Sequence, residues 1–205
     1  EIISVLDHHK GHVSTTTPPV TWITDAQSSN TLVAQVSFAI SDPYSTGGMT
    51  REEIAAQIKE VQKDLKSATS KRILQRLLKR ELAVERKSPY FVAPEREIME
   101  YLQCLYAILD DTDLLSKVSV RDVECVAEIL NRLKSLSLRK EVEIIQLDDL
   151  ARDESFAKKG AARILQNDDM YALYSKIYIA KEKVVEENLK LGAQGKPSNL
   201  FADTK

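Results

Sequence analysis

The groups best suited to chemistry sit at the start of the chain, where Asp7, His8, His9 and Lys10 follow a short apolar run, Ile2–Leu6. All three histidines of the chain, His8, His9 and His12, fall within five positions. Imidazole beside carboxylate suits metal ligation or proton transfer. Adjacent strand residues point to opposite faces. If the chain turns there, one imidazole can take a metal while the other faces a substrate. Two histidines can also cap a strand and do nothing, but every histidine clustering beside an aspartate favours function. A second candidate is Ser28-Ser29-Asn30-Thr31, placed before an apolar helical pattern. A helix N-terminus offers N–H groups and a positive dipole end to a phosphate, and simple capping is compatible with that role. A third is Asp110-Asp111-Thr112-Asp113, which taken alone reads as an Asx-type turn at a helix end.

The elements that must position these groups follow from periodicity. Ile2–Leu6 is too short for a helix and is β-branched at Ile2, Ile3 and Val5, so it reads as a buried strand. Open α/β sheets place ligand groups just past the carboxyl ends of their strands, where Asp7, His8 and His9 would lie. Lys10–Pro19 is a polar loop, and Val20–Thr24 a second short strand. Asp25, Ser28 and Ser29 offer caps for a helix over Thr31–Ile40. Ser41–Met49, with Pro43, Gly47 and Gly48, reads as a flexible connection. Thr50-Arg51-Glu52-Glu53 matches a capping box and opens a charged helical stretch to about Lys87. Ile54, Ile58, Val61 and Leu65, then Ile73, Leu74, Leu77, Leu78 and Leu82 after a break at Ser67–Ser70, give a helical hairpin with one apolar face. Its lysines and arginines, Arg72, Arg76, Lys79 and Arg80 among them, read as a solvated face, with a phosphate-attracting or partner-binding arm as the lesser option. Glu95–Leu109 is an apolar helix, and Ser119 with Asp122 caps the next, whose buried stripe is Val123, Val126, Ala127, Leu130 and Leu133. Glu141–Leu147 reads as a strand or a helix continuation, Asp148–Gln166 and Asp168–Leu191 as helices, and Gly192–Lys205 as a linker or fraying end.

Composition sets outer limits. The 205 residues are 43% hydrophobic and 29% charged, enough for one or two domains with a core. A net charge of −2 gives no global push toward nucleic acid or anionic membrane. No apolar run approaches the length of a membrane span. Cys104 and Cys125 lie in apolar helical patterns and read as buried free thiols of a reducing, cytoplasmic compartment. The chain begins at Glu1 without Met, so the lack of a leader is uninformative.

Two of these segments carry a family resemblance. Val5-Leu6-Asp7-His8-His9-Lys10 resembles the signature of the DHH phosphoesterase superfamily, and Asp110-Asp111-Thr112-Asp113-Leu114-Leu115-Ser116-Lys117-Val118-Ser119 resembles the S-D-T/S-L-L-F-K-S segment of manganese-dependent (family II) inorganic pyrophosphatases. The match spans roughly Ile2–Ile40 and Ile98–Leu133. Asp110 stands where the family has serine, and Asp113 where it has an apolar residue.

The resemblance implies a helix-rich α/β fold. Residues 1–136 would be the C-terminal half of a DHH catalytic domain holding part of a parallel sheet, with 50–87 as an inserted helical hairpin. Residues 137–205 would be a helical linker and the start of a substrate-binding domain. It implies His8 and Asp111 as metal ligands, His9 as the group meeting the substrate phosphate, Asp7 as the acceptor orienting an imidazole, and Ser28, Ser29 and Asn30 as substrate-binding residues. Two ions are implied, Mn2+ or else Mg2+ or Co2+. The expected reaction is phosphoanhydride hydrolysis, of pyrophosphate or polyphosphate, by a metal-activated water.

The family's G-H-x-x-x-D-x-D strand and its S-R-K-K-Q-like substrate loop have no counterpart in the chain. The expectation is therefore an internal piece, inactive by itself. The alternatives are a DHH-type phosphodiesterase acting on oligonucleotides or cyclic dinucleotides, and a non-catalytic module binding a partner through the basic hairpin. A small phosphate-containing substrate is the expected ligand and a homodimer is possible, with nucleic acid less favoured and no membrane.

Overall fold

The computed structural model describes residues 4–7, 9, 20–86 and 91–196. Strands β1 (Ser4–Asp7) and β2 (Val20–Ile23) pair in parallel, Ser4 opposite Val20 and Asp7 opposite Ile23. Both strands therefore end at one edge of the sheet. From that edge a short connection leads into α1 (Ser29–Ser41), which packs against β1. Parallel sheets are normally covered on both faces; here β2 leaves Val20 and Ile23 exposed.

The remaining described elements are helical: α2 (Arg51–Val61), α3 (Ala68–Glu85), α4 (Pro94–Asp111), α5 (Val120–Leu138), α6 (Phe156–Leu165) and α7 (Asp168–Ala193). The helix-rich α/β class expected from the sequence is what the chain adopts. It divides into two compact units, up to Ile164 and from Leu165 on. The second unit is built on α7, whose N-cap Asn167 accepts from the Met170 N–H. Asp168 and Asp169 in the first turn of α7, and Lys190 in the last, suit its dipole.

The core of the first unit lies between α1, α4 and α5. Leu32, Ala34 and Phe38 meet Tyr101, Leu105, Ile108 and Leu109, closed by Val123, Val126, Ile129 and Leu130. Each such fully buried aliphatic side chain contributes about 2 kcal/mol. Phe38 and Tyr101 pack edge to face at 5.4 Å, and the Arg132 guanidinium lies 4.3 Å over the Phe38 ring. A satellite cluster of Met49, Ile54, Ile58 and Leu77 holds α2 against α3. α6 approaches α5 closely at Gly160, where a Cβ would stand 2.5 Å from Val123 Cγ1.

Local signals read from the sequence reappear in place. Thr50 with Glu53, and Ser119 with Asp122, form capping boxes. Pro94 opens α4 at its first turn. Cys104 and Cys125 are free and buried.

Other expectations are corrected. Ser41–Met49 is not a loose connection: Asp42–Tyr44 forms a 3-10 turn, and Ser41, Asp42, Ser45 and Met49 are buried. Gly47 sits at φ 64°, and a Cβ there would stand 3.1 Å from the Arg80 guanidinium, so a side chain would be strained by the backbone and would press on Arg80. The hairpin is not simply a solvated face, because Arg76 and Arg80 are buried and ion-paired. Leu78 and Leu82, assigned to its apolar face, are exposed, as is Tyr106 on α4. The run over Glu141–Leu147 is neither strand nor helix, and the following helix starts at Phe156 rather than Asp148.

One ion pair sits deep in the core. Arg132 Nη1 donates to Asp42 Oδ1 at 2.6 Å, and Lys79 Nζ to Oδ2 at 2.7 Å. Burial alone would raise the Asp42 pKa, but Arg132 and Lys79 outweigh it and hold the carboxyl at about 2.

Candidate functional site

At the end of β1 the chain turns back on its own aspartate. The His9 N–H donates to Asp7 Oδ1 at 3.2 Å, and His9 Nδ1 lies 2.9 Å from the same oxygen. An ionised carboxylate can only accept, so Nδ1 carries the proton and Nε2 is the basic nitrogen. The His9 side chain is 73% exposed. Carboxylate-oriented imidazole of this kind is the usual support for a metal-ligating or phosphate-facing histidine. His8, the expected metal ligand, lies outside the described residues.

The same edge of the sheet feeds the N-terminus of α1. Ser28 is its N-cap: extended at φ −117° and ψ 131°, it accepts the Asn30 N–H on its hydroxyl oxygen. The proton of that hydroxyl goes elsewhere, to Asp111 Oδ2 at 2.5 Å. A short O–H to carboxylate bond is charge-assisted. It ties two segments 83 positions apart, the small-residue start of α1 and the last residue of α4. Asp111 itself is exposed.

Behind this contact sits Asp122, fully buried. Its Oδ2 accepts from Gln27 N at 2.8 Å, Ser119 N at 2.9 Å and Ser119 Oγ at 2.7 Å. Its Oδ1 accepts from Thr31 Oγ1 at 2.6 Å and Ser28 N at 3.4 Å. One carboxylate thus caps α5 and also sits at the N-terminus of α1. This modifies the expectation that α1 presents open N–H groups to a phosphate, since Gln27, Ser28 and Asn30 already have internal acceptors. Ser28, expected to bind substrate, is buried and steadies Asp111 instead; Ser29 and Asn30 are half-buried on the first turn.

After Asp111 the backbone enters an uncommon conformation. Asp113, Leu114 and Leu115 have φ of 49°, 55° and 67°. Left-handed geometry costs a non-glycine residue roughly 1–2 kcal/mol, so three in a row need support. Burial of Leu114 and Leu115 supplies part of it. Thr112 supplies more: its hydroxyl donates to Ile108 O at 2.7 Å and accepts Leu115 N at 3.2 Å, while Leu114 N reaches Leu109 O at 2.7 Å. The segment singled out by the resemblance is therefore held in a strained turn.

Of the residues that the sequence singles out, the structure joins Asp7 to His9 and Ser28 to Asp111. Sequence reasoning missed the second role of Asp122. The capping box gave its bond to Ser119, but nothing local announces acceptance from residues 91–95 positions earlier. The donor types present, carboxylate and imidazole, suit Mn2+ or a similar ion. Among the described residues no group of three or more His, Cys, Asp or Glu side chains is arranged to hold one. No described helix is long and apolar enough to cross a membrane. No family model matches the chain, and comparison with curated proteins and with solved structures returns no match.

Proposed function

We propose that the chain is part of a metal-dependent phosphohydrolase of the DHH type, cleaving a phosphoanhydride such as pyrophosphate or polyphosphate. The observation that carries the reading is the 2.5 Å Ser28–Asp111 hydrogen bond. It links the hydroxyl-rich start of α1 to the aspartate at the end of α4, one from each of the two segments that carry the resemblance. In this reading His8 and Asp111 hold metal, with Ser28 fixing the rotamer of Asp111. Asp7 fixes the His9 tautomer so that Nε2 faces a phosphate oxygen. Two divalent ions, Mn2+ or else Mg2+ or Co2+, would neutralise the phosphate and acidify a bridging water.

His8 and Asp111 do not fill a two-ion centre. In this reading the 205 residues alone are expected to be inactive. The second reading, a phosphodiesterase acting on short RNA or cyclic dinucleotides, draws on the hydroxyl-rich Ser28-Ser29-Asn30-Thr31 segment. Phosphate release from pyrophosphate against turnover of a short RNA, both with Mn2+, separates the two. Preference for RNA would replace the first reading by the second, and inertness toward both would reject both. For the third alternative, partner binding through a basic hairpin, Arg72, Arg76, Lys79 and Arg80 are engaged within the chain, while Lys59, Lys63, Lys66 and Lys71 are exposed.

A further inference from the structure

Away from the candidate site, a network of charged side chains joins α3 to the irregular segment 140–155. Arg72 donates to Glu143 through Nε and Nη2, at 2.9 and 2.7 Å, and to Asp148 through Nη1 and Nη2, at 2.8 and 2.7 Å. One turn further along α3, Arg76 donates to Glu141 at 2.8 Å, to Glu143 at 3.2 Å and to the Val142 carbonyl at 3.2 Å. Another turn on, Arg80 reaches Glu141 at 3.0 Å and the Ser45 carbonyl at 3.2 Å. Residues 72, 76 and 80 share one helix face. Glu141 and Glu143 alternate along an extended chain and turn toward that face, with side chains only 1% exposed.

The opposite side of the segment is held by α5. Val142 N donates to Ser135 Oγ at 3.0 Å, and Ile144 N and Ile145 N to Asn131 Oδ1 at 2.8 and 2.9 Å. Downstream, Arg163 of α6 donates to the Gln146 carbonyl at 2.8 Å and to Asp149 Oδ2 at 2.8 Å. Leu147 packs beside Gly160 in the contact between α6 and α5. The segment has no helix or ladder of its own, and a stretch of this length without secondary structure is ordinarily mobile.

We propose that the α2–α3 hairpin is a brace: through Arg72, Arg76 and Arg80 it fixes the course of segment 140–155 between α3 and α5, and through that segment the seating of α6. The brace and the segment open together, because parting them strands buried carboxylates without partners. This goes beyond the phosphohydrolase reading and does not depend on it. It gives the hairpin a mechanical role that needs no outside partner, and it makes α6 responsive to anything that displaces α3.

Hydrogen–deuterium exchange on the full chain tests this. Arg72 is partly exposed and Asp148 more so, at 36% and 45%, and without Arg72 the buried Glu143 still accepts from Arg76 at 3.2 Å, so variants at either position leave the α1, α4 and α5 core its own contacts. With Arg72→Gln, peptides covering 140–165 and the hairpin should exchange roughly tenfold faster, and α1, α4 and α5 should keep their wild-type protection. Asp148→Asn alone should give a smaller rise, roughly threefold, that adds nothing on top of Arg72→Gln. Unchanged exchange over 156–165, equal acceleration in α1 and α4, or additive effects of the two substitutions would each overturn the proposal.

Discussion

Asp122→Ala should be among the most damaging single changes in the first unit. The substitution removes the acceptor for Gln27 N, Ser28 N, Thr31 Oγ1, Ser119 N and Ser119 Oγ. Ser28 and Thr31 are buried, and donors left there without acceptors cost about 1–3 kcal/mol each. Two helix N-termini also lose a capping interaction, at about 1 kcal/mol apiece. Relief from burying a carboxylate offsets part of this, leaving an expected net loss of about 4 kcal/mol. That is a large share of the roughly 5–15 kcal/mol that holds a domain folded. Asp122→Asn keeps one acceptor oxygen and should lose about half as much. Urea unfolding followed by far-UV circular dichroism, extrapolated linearly to water, measures both. A loss below about 1 kcal/mol for Asp122→Ala, with an unchanged slope, would refute the claim that this carboxylate organises α1 and α5 together.

Acid should destabilise the core through Asp42: its carboxyl is depressed from the ordinary 3.8 to about 2, so its contribution is complete above the unfolded value and lost as pH falls toward 2. The loss amounts to about 2 kcal/mol, and urea midpoints between pH 6 and 2.5 should show a slope that Asp42→Asn reduces. Burial raises the thiol pKa of both Cys104 and Cys125, so an aromatic disulfide reagent should label neither at neutral pH until denaturant is added. Gly160→Ala places a methyl 2.5 Å from Val123 Cγ1 and should cost about 1–3 kcal/mol, partly recovered by Val123→Ala in thermal melts. Arg139, left-handed at φ 49° with Lys140 N reaching back to Ser135 O at 3.1 Å, ends α5 where glycine is favoured, and Arg139→Gly should stabilise by about 1 kcal/mol.

What the sequence made legible was local. Capping boxes at Thr50 and Ser119 have both partners within three residues, and the apolar periods of α1, α4 and α5 mark their own buried faces. The short strands ahead of Asp7 and Ser28 were readable for the same reason. What escaped depends on distant partners. Arg76 and Arg80 carry the residue type that signals solvent, and their acceptor Glu141 lies 65 and 61 positions away. Glu141–Leu147 has the composition of a strand but no strand beside it, so its amides go to Asn131 and Ser135. In the candidate site, residue types pointed to Asp111, but only the tertiary contact shows that Ser28 serves that carboxylate rather than facing solvent.

The most direct test of the phosphohydrolase reading is Mn2+-dependent phosphate release from pyrophosphate by the complete protein, wild type against Asp111→Ala, with folding checked by circular dichroism. The expected result is metal-dependent turnover in the wild type and a loss of about a hundredfold or more in the variant, because Asp111 would hold the metal. Wild-type turnover that survives Asp111→Ala would contradict the assigned site. Absence of Mn2+-dependent release from the wild type would contradict the reading as a pyrophosphatase.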